Sequence, residues 1–149
     1  MTRALRLEVV LLAVLVCVAL FVSGCRSCSS ERVVVAELTK PQGDVKRDTA
    51  TSMRDRQSAA PGAKLALGDG LKTGPGAGAS VRIVSGGTIA LGSDTTLRFL
   101  ETAPGSSEAG LEVETGEAVV EADDKAVTIK TTIGLAHIEA GGRLRVSAV

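Results

Sequence analysis

Few residues in this chain have real chemical reach: three cysteines, one histidine and a scatter of carboxylates. Two of the cysteines stand as Cys25-Arg26-Ser27-Cys28, formally the C-x-x-C spacing of redox and zinc half-sites. A redox pair needs a folded helix N-terminus to depress a thiol pKa. Here the pair is followed by Ser29-Ser30, with no second C-x-x-C and no histidine cluster. His137 lies between Ala136 and Ile138, an alternation that turns it towards solvent, and Ser or Cys catalysis would need it beside a nucleophile and an orienting acid. Asp123-Asp124 lacks further oxygen ligands at a calcium-loop spacing and reads as a turn. Glu112, Glu114, Glu117 and Glu121 read as an acidic, solvated strand face. Glycoside hydrolysis by paired carboxylates calls for a cleft with aromatic sugar platforms, and the chain has neither Trp nor Tyr. No enzyme activity, metal site or cofactor is expected.

Two glycine-rich motifs complete the inventory. In Gly68-Asp69-Gly70 the expectation is a turn, with Asp69 accepting nearby backbone N–H groups and both glycines at strained angles. The run Thr73-Gly74-Pro75-Gly76-Ala77-Gly78-Ala79 lacks the Gly-Lys-Ser/Thr ending of a phosphate-binding loop and no helix follows it. It reads as a flexible turn.

Residues 1–24 read as an address. Arg3 and Arg6 precede an uncharged apolar run over 9–22, which ends at Ser23-Gly24-Cys25. A basic start, an apolar stretch and small residues at its end make a secretory signal. The run is shorter than the roughly 20 residues a spanning helix needs. Val22-Ser23-Gly24-Cys25 resembles the bacterial lipobox, which implies cleavage between Gly24 and Cys25 and thioether lipidation of Cys25. Two or more acyl chains, at about 0.8 kcal/mol per buried CH₂, anchor a protein stably. The expected organisation is a lipoprotein signal peptide over 1–24, a polar tether over 25–32 and one domain over 33–149. The location implied is the cell envelope, membrane-anchored and facing the periplasm. With Arg26 after the lipidated cysteine, inner and outer membrane both stay open. Cys28 has no assigned role.

The elements behind these residues are strands. Charge is balanced, 17 Lys+Arg against 17 Asp+Glu, so no basic surplus exists for a nucleic-acid partner. Beyond the apolar leader Phe99 is the sole aromatic, so the core must be thin and aliphatic. Short apolar runs recur between turn signals, at 33–38, 64–67, 79–84, 88–91, 96–100, 111–114, 118–122, 127–131 and 136–139, with Leu144-Arg145-Val146 near the end. Such spacing predicts an all-β domain of short antiparallel strands, whether solenoid, roll or sandwich. Gly86-Gly87 predicts a hairpin, Gly116 a turn between two strands, and 48–62 a loop with at most one helical turn.

From about Val33 to Val146 the order of features resembles the FecR domain of bacterial envelope proteins. The matching pieces are Gly43-Asp44-Val45, Leu67-Gly68-Asp69-Gly70-Leu71-Lys72-Thr73-Gly74, Ala79-Ser80-Val81-Arg82-Ile83-Val84, Ile89-Ala90-Leu91, Thr96-Leu97-Arg98-Phe99 and Leu111-Glu112-Val113-Glu114-Thr115-Gly116-Glu117. The family usually has an Asp-Gly turn where this chain has Ser85-Gly86-Gly87. FecR-type sigma regulators also carry a helical cytoplasmic segment before the span, for which the residues ahead of the apolar run leave no room. The resemblance therefore implies fold and envelope location, and it points to a non-enzymatic lipoprotein that binds an envelope protein or peptidoglycan. The alternative is a signalling component of sigma-regulator type lacking its cytoplasmic half. No ligand-binding residue is singled out.

Overall fold

The computed structural model describes residues 32–50, 52–102, 109–131 and 134–149. The expected signal, Gly24, Cys25 and Cys28 lie outside them, as do Pro104 and Gly105. Twelve strands follow in order: β1 (Val34–Gln42), β2 (Val45–Thr49), β3 (Ser52–Ser58), β4 (Lys64–Ala66), β5 (Gly70–Thr73), β6 (Gly78–Ile83), β7 (Thr88–Leu91), β8 (Thr96–Glu101), β9 (Ala109–Glu121), β10 (Val127–Thr131), β11 (Gly134–Ile138) and β12 (Arg143–Ala148). The described residues contain no helix. The domain is all-β.

Alternation decides which side of each strand is buried. In β6, Ala79, Val81 and Ile83 are buried, while Arg82 is exposed. In β7, Ile89 and Leu91 are buried and Ala90 is exposed. Gly86 and Gly87 join these strands at φ of 107° and 129°, the left-handed backbone that a tight hairpin requires.

The strands form one curled sheet whose two halves share β9. One half runs β4-β1-β6-β7-β9-β12 and the other β3-β2-β5-β8-β9-β10-β11. Every pairing is antiparallel except β9–β10. That exception follows from the path: β9 ends in the first half, so the connection through Asp123-Asp124 crosses to the second and β10 arrives parallel. Buried aliphatic side chains from both halves make one cluster. Phe99, fully buried, is its only ring.

Gly116 is not the expected turn between two strands. One strand, β9, runs straight through it, and the chain bends there to pass from one half to the other. Thr96 faces Thr115 and Leu97 faces Val113, so Glu114 is an extra residue in the ladder. Bulges of this kind let a strand turn a corner between packed layers. Gly116 has φ of 86°, and a Cβ there would lie 2.5 Å from the Thr95 Cα. Thr95, fully buried, donates its hydroxyl to the Glu117 carbonyl and accepts from the Glu117 N–H, both at 3.0 Å. It thereby satisfies backbone groups left over at the corner. Thr73 supports the same corner, donating to the Gly92 carbonyl at 2.6 Å and accepting from the Thr95 N–H at 2.9 Å.

A second expectation also fails. The stretch 48–62 is not a loop, since β3 occupies Ser52–Ser58 and pairs with β2. Its sequence, with Arg54, Asp55 and Arg56, carries no apolar alternation to announce a strand. Backbone pairing holds it at the sheet edge, where charge discourages further strands from adding.

Candidate functional site

The outer face of the second half gathers the groups with chemical potential. Leu97 and Phe99 point into the core, so strand alternation turns Arg98 outward. Its Nε donates to Glu114 Oε1 at 2.9 Å. Nη1 and Nη2 reach Asp48 Oδ1 and Oδ2 at 3.2 and 3.3 Å, and Nη1 also donates to the Gly68 carbonyl at 3.1 Å. This is a two-pronged guanidinium–carboxylate pair, the strong geometry for such ions. Both partners are shielded, with side chains 14% and 5% exposed. Burial opposes the charge on Arg98, but hydrogen bonds and attraction from Asp48 and Glu114 prevail and raise its pKa above the ordinary arginine value.

Asp48 and Arg98 are not on neighbouring strands, because β5 lies between β2 and β8. Gly70 is the register partner of both residues. A Cβ on it would sit 2.5 Å from Asp48 Oδ1 and 3.3 Å from Arg98 Nη1. The second glycine of Gly68-Asp69-Gly70 therefore leaves space for an ion pair that spans three strands. It does not have the strained φ expected of it; only Gly68 does, at 86°. Asp69 behaves as expected of a turn carboxylate. Buried to 1% exposure, it accepts the Ala66 N–H at 2.9 Å and the Ala50 N–H at 3.1 Å. It also pairs with Arg32, where the chain enters the domain.

The acidic strand face resolves into neutralised pairs. Besides Glu114 on Arg98, Glu112 pairs with Lys130 at 3.2 Å. In the other half, Glu117 pairs with Arg145 at 3.3 Å and Glu121 with Arg143 at 3.2 Å. The long strand carries carboxylates on both sides of the bend, and each meets a cation from an adjacent strand.

One row departs from this rule. Lys46 on β2 and Lys72 on β5 are direct cross-strand partners. Like charges placed opposite one another destabilise a sheet. Together with Arg56, Asp44 and Asp94 they surround an open groove of about 520 Å³. Lys46 has Asp44 at 3.2 Å, and Arg56 lies 3.9 Å from an Asp48 already engaged by Arg98. Among the described residues Lys72 has no ion-pair partner. Asp94 is the one described non-glycine residue at positive φ, 52°, and its carboxylate accepts the Ser93 hydroxyl at 2.8 Å.

The other sequence candidates lie apart from this groove. His137 is exposed, 3.3 Å from the Thr128 hydroxyl and 3.8 Å from Glu139. No cluster of three metal-ligating side chains occurs among the described residues. No family model, curated protein or solved structure matches the chain. Sequence reading alone missed Asp48, Lys46 and Lys72. The outward side of Arg98 is readable from its alternation with apolar Leu97 and Phe99, but nothing in the local pattern says that β5 pairs with β2.

Proposed function

We propose that this chain is a non-enzymatic lipoprotein of the cell envelope, anchored through Cys25, that presents a FecR-like β domain as a protein- or cell-wall-binding module. The anchor rests on the apolar leader ending in Val22-Ser23-Gly24-Cys25. The FecR-like assignment rests on the order of motifs between Val33 and Val146. The observation that most favours a binding surface over an interior reaction site is where the polar groups are used. The buried side chains of Asp48, Asp69, Thr73 and Thr95 all hold the fold together. Among the described residues no buried side-chain nitrogen or oxygen lacks a partner. Lys72, directly opposite Lys46 on an open face, has no ion-pair partner among the described residues.

Incorporation of radiolabelled palmitate tests the anchor. Label is expected in the wild type and absent from Cys25→Ala; an unlabelled wild type would refute lipidation. Crosslinked pull-down from envelopes tests the module, with recovery of peptidoglycan or envelope structural proteins as the expected result. Recovery of a sigma regulator instead would replace this reading with a signalling role.

A further inference from the structure

We infer that the groove between Lys46, Lys72 and Arg56 binds the carboxylates of cell-wall peptide. This inference rests on the reading of the domain as an envelope binding module and names the site and ligand of that module. Two rows of side chains lie next to each other on the same face. In one, Arg98 is matched by Asp48 and Glu114. In the other, two lysines are paired with each other by register, and one of them has no counter-ion among the described residues. Two lysines held opposite one another at the rim of a groove repel each other, and an anion seated between them would relieve that repulsion.

The chemistry of the groove limits what that anion is attached to. Lys46, Arg56 and Lys72 line it with Asp44 and Asp94, so both signs are present with cations in excess. A polyphosphate or a uniformly acidic polymer would meet the two carboxylates unfavourably. A short peptide with carboxylates and a free amine matches both sets, its carboxylates on Lys72 and Arg56 and its amine towards Asp94.

Full-length protein in mild detergent, incubated with isolated peptidoglycan sacculi, tests the site by co-sedimentation. Wild type is expected to bind, and the Lys46→Gln/Lys72→Gln double variant to bind at least about tenfold more weakly. Lys40→Gln, which alters an exposed lysine on the other half, should stay within about twofold of wild type. Soluble muropeptides should displace the protein from sacculi, whereas glycerol phosphate, the headgroup of an anionic lipid, should not at equal concentration. Equal displacement by glycerol phosphate would overturn the assignment to wall peptide. Binding to sacculi that the double variant leaves unchanged would overturn the groove while sparing the module. Failure of the wild type to bind sacculi would overturn the inference, and recovery of an envelope protein in pull-down would then preserve the module reading. A circular dichroism spectrum of the double variant identical to wild type establishes that any loss is local.

Discussion

On the outer face of the half that runs from β3 to β11, adjacent rows of side chains treat charge in opposite ways. The row through Asp48, Gly70, Arg98 and Glu112 alternates in sign, and β10 extends it with Lys130. One step along the strands, Lys46 and Lys72 face each other. At the centre of the first row the Arg98–Asp48 pair, with side chains 14% and 5% exposed, is shielded enough to matter to folding, because removing one partner of a buried pair leaves the other uncompensated. The second is exposed, with the Lys46 side chain 46% accessible, where water and salt soften repulsion. A sheet can therefore tolerate a like-charge pair only at its wet surface. Matched charge here serves the fold, and the unmatched pair stands where solvent screens it.

The largest effect should come from breaking the matched row. Arg98→Met keeps the length of the side chain and removes both prongs from Asp48, whose side chain is 5% exposed. The expected loss is about 3 kcal/mol of unfolding free energy, read by urea denaturation. A loss below about 1 kcal/mol would mean that Asp48 finds water or Arg56 instead. The pH dependence has a definite sign. A base whose pKa is raised by folding contributes fully below its unfolded pKa, and the contribution disappears only as pH climbs through the folded value. Since Arg98 is raised above an already high value, its own ionisation should leave this contribution intact between about pH 7 and about pH 10.

Next in size is Gly70→Ala. The added Cβ would fall on Asp48 Oδ1, pushing the carboxylate from the guanidinium fork. A loss of about 2 kcal/mol is expected. In the Arg98→Met background the same substitution should cost distinctly less, because the bridge it displaces is already gone. Additive losses would separate Gly70 from the ion pair and attribute its cost to backbone conformation alone.

These two residues also show what was legible in the sequence. Strand content and the buried faces of β6, β7 and β8 follow from alternation, because each apolar side chain reports its own burial. The Gly86-Gly87 hairpin follows from backbone freedom. Gly70 could be marked as special from its motif, but its reason lies in two residues brought together by β2 and β8 pairing across β5. Gly116 misled in a related way: a glycine needing positive φ is the same signal for a hairpin and for a bent strand. β3 was invisible because an edge strand stabilised through its backbone needs no apolar pattern. The groove was illegible for the same reason as the bridge, since Lys46 and Lys72 become neighbours only through register.

A smaller effect should follow from the ladder on the other half. Arg143, with a side chain 68% exposed, pairs with Glu121 at 3.2 Å. Arg143→Gln should cost about 0.5 kcal/mol or less, since exposed pairs gain little over solvent. Molar salt should erase the difference. A loss near that of Arg98→Met would show that shielding does not separate these rows.

The smallest effect should have the opposite sign. Lys72→Gln removes the charge facing Lys46 while keeping a polar side chain of similar reach on an outward position of β5. Relief of a direct cross-strand repulsion should raise stability by about 0.3 kcal/mol. The gain should be largest at low ionic strength and vanish at high salt. Paired urea denaturations at the two salt concentrations, with several replicates, resolve a change of this size. Lys46→Gln should gain less, because it also gives up the contact with Asp44 at 3.2 Å. The asymmetry between the two variants is the sharper measurement, for it asks which lysine lacks a counter-ion. If Lys72→Gln destabilises the chain, Lys72 is engaged within the fold, and the contrast between the two rows collapses.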